Sequence, residues 1–347
     1  MLREIGGRFV GARSPLFVIA EIGLNHNGRM DIAKAMIEAA DRAGADAVKF
    51  QKRDPKACLT AAALEAPYTG RNSFGPTYGS HRAALELSAA QLGTLREFAN
   101  GIGLHFFARA FDVPSLKILV EIGVPVLKIP SCDLTHRELL NAAIATSLPL
   151  ILSTGMATEV ELDRAVDTLH QARAERRLAL MHCVSGYPVE NQDANLRRMD
   201  WLRRYAVPVG YSGHEKGTAI SVAAVARGAS LIERHLTLDR TMPGPDHAAS
   251  LEPKGFTQLV RDIRKIEAAL GPQIEQPMPC EMASKRKLRK CAVAADDITA
   301  GTVLGNWHVK YKSPEVEGGI SADRQIWGKK VTRDIAQDEP ILLADLT

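Results

Sequence analysis

Leu16–Gly23, LFVIAEIG, followed by Asp31–Gly44, DIAKAMIEAADRAG, is the unit from which most of this chain is built. The first stretch is a short, nearly continuous apolar run of strand length, and the second has the spacing of an amphipathic helix. A strand apolar on both faces belongs in a parallel sheet covered by helices. The same alternation recurs outward along the sequence. DAVKFQ (46–51) leads, across a long loop, to SAAQLGTLREFANG (88–101). LHFFARAF, VLKIPS, PLILSTG, LALMHCVSGYP, VPVGYSGH and SLIERHLT each precede a helical pattern, the last of them Pro253–Leu270. Eight such units over about 270 residues predict a closed (β/α)8 barrel. A doubly wound open sheet is the alternative, and the regular succession gives it no topological reversal.

The rhythm stops after that last helix. Pro272, Pro277 and Pro279 punctuate a polar stretch that reads as a linker. The expected division is a barrel over residues 1–272, a linker over 273–286 and a small β-rich domain over 287–347. In the tail, DDITAGTVL and RDIAQDEPIL each place Asp-Ile ahead of an aliphatic pair, a weak sign of pseudo-symmetry. The basic run Lys285–Lys290 reads as a solvated face between domains.

Composition narrows the function. With 347 residues and 46% apolar content the chain can bury a large core. Its 44 basic and 40 acidic residues leave a formal charge of +4, too mild to indicate a nucleic-acid partner. The five cysteines are scattered without a CxxC pair, which argues against a disulfide framework or a zinc ribbon and suits a reducing cytoplasm. The first residues carry no apolar leader, and no run is long enough to span a bilayer. A cytoplasmic protein without a membrane partner is expected.

Active sites of such barrels form at the C-terminal ends of the strands, and here nearly every strand ends in a polar group. In chain order they are Glu21, Lys49 with Gln51, Arg109, Lys128 with Ser131 and Asp133, Ser153, His182 with Ser185 and Tyr187, Ser212 with His214, and Glu233 with His235. His214 and His235 end the seventh and eighth strands, so both can point into one mouth and hold a divalent metal. His182 reads as a structural, hydrogen-bonded residue. Lys49 and Lys128 interrupt apolar runs, where an ammonium needs an anion. They pair either with Glu21 or Asp133, or with the hydroxyls of Ser131, Ser153 and Ser212 around a bound phosphate and carboxylate. Asp246 follows a Pro-Gly-Pro turn and reads equally as a turn-capping aspartate or as a residue returned to the mouth.

FVIAEIGLNHNG, ADAVKFQ, LKIPSCD, LILSTGM, VGYSGHE, LIERHLTLDRTMPGPDHAASLEP and LRKCAVAADDITAGTVL together resemble the sialic acid synthases, over nearly the whole chain. The long second loop, with GYSGHE and PCEMA, resembles the branch that acts on the 6-phosphate of N-acetylmannosamine. The resemblance implies condensation of phosphoenolpyruvate with open-chain N-acetylmannosamine or its 6-phosphate, with Mn2+ or Mg2+ on His214 and His235. It implies phosphoenolpyruvate contacts from Lys49, Arg109, Lys128, Ser131, Ser153, Ser185 and Ser212. Glu21, Gln51, Asp133, Tyr187 and Asp246 would surround the sugar, with Glu21, Lys49, Lys128 and Asp133 as the catalytic group. The tail resembles the antifreeze-like (SAF) domain, which implies a domain-crossed homodimer.

Three positions depart from the family pattern. Pro130 and Cys132 stand where glycines are usual, and Arg109 stands where a small hydroxyl residue is expected. Arg109 could grip a phosphate bidentately or crowd the pocket. Tyr311 and Lys312 occupy the region where the bacterial lid carries an acyl-contacting arginine. Three other readings therefore stay open: synthesis of a related sugar acid, a metal-dependent sugar aldolase or isomerase, and a non-catalytic sugar-binding protein.

Overall fold

The computed structural model describes residues 3–11, 14–271 and 274–347. They form two compact units, residues 1–271 and 272–347.

In the first unit eight parallel strands close into a barrel. They are β1 (Phe17–Gly23), β2 (Ala47–Lys52), β3 (His105–Ala110), β4 (Leu127–Ile129), β5 (Leu150–Ser153), β6 (Leu178–Cys183), β7 (Val209–Gly213) and β8 (Leu231–His235). Each strand leads to a helix of the outer layer: α1 (Met30–Arg42), α2 (Ala89–Gly101), α3 (Val113–Glu121), α4 (Arg137–Ala145), α5 (Glu159–Gln171), α6 (Arg198–Leu202), α7 (Ala219–Ala226) and α8 (Pro253–Leu270). The helices start where side chains satisfy their free N–H groups. Ser88 and Gln91 cap α2 reciprocally, as Thr158 and Glu161 cap α5, and Asp112 accepts from the Ser115 N–H at 2.7 Å on α3. Apolar faces of both layers form one core, in which the Phe50 and Phe106 rings stack at 5.1 Å. Burial of each such large side chain contributes about 1.5–3 kcal/mol.

Closure decides where the polar residues meet. β8 pairs with β1 so that His235 lies opposite Glu21, and Glu21 lies opposite Lys49 on β2. Gln51 then faces Arg109, and Arg109 faces Lys128.

Two helical readings change. The stretch after β2, read as a loop, contains three short helices, Pro55–Cys58, Ala61–Glu65 and Tyr78–Leu85. Asp54, Thr60 and Thr77 cap them in turn. The pattern over 194–206 gives only the short α6 and a 3-10 turn at Arg203–Tyr205.

The second unit opens with helix Met282–Leu288 and an antiparallel pair, β9 (Cys291–Ala294) and β10 (Val309–Lys312). Its two similar phrases meet about a local twofold. The Ile298 and Ile335 N–H groups each donate to the other's carbonyl at 2.8 Å. Asp334 accepts from the Ala300 N–H at 2.7 Å, and Asp297 from the Gln337 N–H at 2.8 Å. A small core of Ala292, Ala294, Ile298, Ile320, Val331, Ile335 and Ile341 lies beneath. No described helix is long and apolar enough to cross a membrane.

Candidate active site

The strand ends surround a cavity of about 260 Å³. Glu21, Lys49, Arg109, Lys128, Ser131, Ser153, Ser185, Tyr187, Ser212, His214 and His235 line it, together with Phe111, Pro130, Cys132, Met156, Cys183 and Glu233. Three expected residues lie outside this lining. Gln51 sits behind Glu21, its amide donating to Oε1 at 3.2 Å. Asp133 turns into an adjoining cavity, on the 3-10 turn Ser131–Asp133 that follows Pro130. Asp246 approaches from the loop after β8. A Cβ placed on Gly23, whose φ is +57°, would stand 3.0 Å from Gln51 Nε2, 3.3 Å from Glu21 Oε1 and 3.5 Å from Asp246 Oδ2. Those three side chains therefore converge at the end of β1, around a residue that must be glycine.

The expected pairing of Lys49 with Glu21 is present, but a different carboxylate lies nearer both lysines. Lys49 Nζ lies 2.7 Å from Glu233 Oε1, and Lys128 Nζ lies 2.8 Å from Glu233 Oε2. Ser212 also donates to Glu233 Oε1 at 3.1 Å, while Glu21 is the more distant partner of Lys49 at 3.4 Å. One carboxylate thus holds two buried ammonium groups side by side. Burial pushes the Glu233 carboxyl up, but the Lys128 and Lys49 charges and hydrogen bonds outweigh it and hold the group well below the ordinary range. Burial brings Lys128 down to about 8, with Glu233 opposing and Lys49 reinforcing the fall. Glu21 moves the other way. Burial raises it, against Lys49 and with help from Glu233, and its Oε2 accepts no hydrogen bond. The two carboxylates are driven apart in acidity, as acid and base partners are in enzymes.

The sequence marks Glu233 only as one of the polar groups at the strand ends, with no role of its own. The missed signal is strand alternation: Glu233 and His235 are two apart and share the inner face. Arg234 points outward between them. It pairs with buried Glu215 at 2.9 Å and donates to the Gly217 carbonyl at 2.8 Å and Ser221 Oγ at 2.9 Å.

The same cavity is lined by a cradle of small polar groups. The Gly155 N–H donates to Ser131 Oγ at 3.0 Å. A Cβ on Gly155 would lie 2.6 Å from Ser185 Oγ, 2.8 Å from Cys183 Sγ and 2.9 Å from Ser131 Oγ. Hydroxyls and two ammonium groups lining one cavity form a receptor for a compact dianion.

The His214 and His235 rings are 5.5 Å apart. His214 Nδ1 contacts the Val184 carbonyl at 2.9 Å, so it carries the proton and Nε2 keeps its lone pair. His235 Nδ1 has no hydrogen-bond partner. Burial first, then the neighbouring His235, brings His214 down to about 3, and burial brings His235 down to about 4. Neutral imidazoles with free nitrogens fit a divalent metal. Among the described residues no group of three or more His, Cys, Asp or Glu side chains is arranged to hold one. His182 instead bonds the Ala194 carbonyl at 2.8 Å.

The NeuB family model matches residues 36–275, and the SAF domain model matches residues 289–347. N-acetylneuraminate-9-phosphate synthase of Mus musculus is 41% identical, over 97% of this chain and 94% of that protein. N,N'-diacetyllegionaminic acid synthase of Campylobacter jejuni is 38% identical, over 93% of this chain and 98% of that protein. Among solved structures, the N-acetylneuraminic acid synthetase of Leptospira borgpetersenii in complex with citrate superposes with a TM-score of 0.72 at 37% identity. The match covers 82% of this chain and 95% of that one.

Proposed function

Because the chain belongs to the NeuB family, we propose that it condenses phosphoenolpyruvate with the open-chain aldehyde of N-acetylmannosamine or its 6-phosphate. The products are N-acetylneuraminate, or its 9-phosphate, and inorganic phosphate. The observation that carries this reading is the pair of buried ammonium groups on Glu233 in the same cavity as the Ser131–Ser185 cradle.

In this reading Lys49, Lys128, Arg109 and the hydroxyls of Ser131, Ser153, Ser185 and Ser212 bind the phosphate and carboxylate of phosphoenolpyruvate. Its C3 forms the new bond to the aldehyde carbon. Water adds to the resulting cationic C2 and loses a proton, and the C2–O bond to phosphate then breaks. Glu21, whose carboxyl burial pushes up, supplies the proton to the aldehyde oxygen. Fixed ammonium groups spare the site from reorganising as charge shifts towards the phosphate. A divalent metal, Mn2+ or Mg2+, held by His214 and His235 would supply Lewis acidity to the aldehyde. Tyr187 packs on the His214 ring at 4.2 Å, and with Glu21, Gln51, Asp133 and Asp246 it surrounds the sugar. The division into a barrel over residues 1–272, a linker over 273–286 and an SAF domain over 287–347 belongs to the same reading. So does a cytoplasmic homodimer in which each SAF domain covers the partner's site.

A second reading, synthesis of a related nonulosonic acid, is favoured by Arg109, whose guanidinium lines the cavity 4.5 Å from the Phe111 ring centre, where the resemblance leads one to expect a small hydroxyl residue. The test is phosphate release from phosphoenolpyruvate with Mn2+, comparing N-acetylmannosamine, its 6-phosphate, mannose 6-phosphate and no sugar. Release that needs a sugar supports the synthase, and the preferred sugar chooses between the readings. Sugar-independent release, or none with any acceptor, overturns the proposal.

A further inference from the structure

Beside the site lies a second cavity, of about 360 Å³, which shares Phe111 and Cys132 with it. Phe111 forms the partition. Arg109 stands 4.5 Å from its ring centre and lines the first cavity, and Arg53 stands 3.9 Å from the same centre and lines the second.

The second cavity gathers positive charge. Arg53 is 7% exposed and is held by Glu86, 3.1 Å from its Nε, and by the Gln51 side-chain oxygen. Burial first, then the charges of Arg82 and Arg109, lower it to about 10. Arg82, on the helix Tyr78–Leu85, is positioned by a neutral group, the Tyr78 hydroxyl, 2.9 Å from Nε. Among the described residues no carboxylate pairs with Arg82. Among the described residues Asp133 is the one carboxylate lining the cavity; burial pushes it up, and His136 Nδ1 lies 3.5 Å from its Oδ1. His136 adds a further donor. Arg53 has Glu86 but Arg82 brings no acid of its own, so the two guanidinium groups repel one another, and an arriving anion removes that cost.

We propose that Arg53 and Arg82 form a subsite for the terminal phosphate of the acceptor, which makes the 6-phosphorylated sugar the preferred substrate. This rests on the synthase reading. The two cavities share Phe111 and Cys132, which suits a sugar whose aldehyde sits in the first and whose phosphate passes Phe111 into the second. Planar guanidinium forks suit a phosphate better than a hydroxyl. An unphosphorylated sugar leaves the two arginines without a ligand.

The experiment measures kcat/KM for N-acetylmannosamine 6-phosphate and for N-acetylmannosamine in the full-length parent, Arg82→Met and Arg82→Lys. The parent prefers the phosphorylated sugar. Arg82→Met lowers the ratio of the two kcat/KM values by about ten- to one-hundred-fold, the loss expected of a charge-assisted contact, and Arg82→Lys restores part of it. An unchanged ratio overturns the subsite. A rise in KM for phosphoenolpyruvate when the unphosphorylated sugar is used also overturns it, since the arginine would then serve the other phosphate. If the parent releases no phosphate with either sugar, the synthase reading falls. Calorimetry then judges the subsite, which requires tighter binding of the sugar phosphate than of the sugar and loss of that preference in Arg82→Met.

Discussion

Glu233→Gln isolates what one buried carboxylate does for two lysines. The substitution keeps the shape and a hydrogen-bond acceptor but removes the charge that faces Lys49 at 2.7 Å and Lys128 at 2.8 Å. In the parent, Lys128 gives up its proton near pH 8, so kcat/KM for phosphoenolpyruvate falls as pH rises through that value. The sign follows from the chemistry, since loss of the ammonium charge removes a partner of the anionic substrate. Without Glu233 the neutral lysine is favoured further, and the alkaline limb moves acid-ward by roughly one to three pH units. At neutral pH the variant loses about tenfold or more in kcat/KM, with recovery on acidification. Folding weakens by about 3–5 kcal/mol, because two charges are left buried without their counter-ion. Steady-state kinetics across pH, which report the free protein's groups through kcat/KM, and urea denaturation measure the two effects. An alkaline limb at the same pH in parent and variant refutes the view that Glu233 sets the lysine charge.

Three further expectations follow from the same geometry. Arg234→Met destabilises the fold by about 3–5 kcal/mol in urea titration, because it strands the buried Glu215 carboxylate. Adding Glu215→Leu restores most of that loss. Gly23→Ala places a methyl 3.0 Å from Gln51 Nε2 at a positive φ. It should cost about 1–2 kcal/mol for the backbone alone and raise KM for the sugar more than KM for phosphoenolpyruvate. His214→Ala and His235→Ala each lose turnover and retained Mn2+ after dialysis while unfolding cooperatively, and full activity in either variant removes that histidine from the metal set.

The barrel was legible because its strands are apolar on both faces, a pattern carried within each short stretch. Inward-facing residues at the strand ends were legible for the same reason, since a strand boundary and a period of two place Lys49, Lys128, His214 and His235 in one mouth. The partner of the lysines was not. Glu233 meets them from β8 across the barrel, and no periodicity within one strand encodes a contact between strands so far apart in sequence. The cavity that Asp133 lines was not legible either, because Pro130 and the following 3-10 turn set its direction. The arginines of that cavity lay in a stretch read as loop, where Arg82 acquires a fixed direction only because Thr77 and Ser80 start a helix beneath it.

β8 is the strand that shuts the barrel, and its last three residues leave it a single way to do so. Glu233 needs the lysines inside, Arg234 needs Glu215 outside, and His235 must return to the interior. A slip of one residue exchanges the faces. It would press a guanidinium against two ammonium groups and leave Glu215 facing an acid. Closure is thereby proofread by charge, and a chain that has shut its barrel has in the same act assembled its anion receptor.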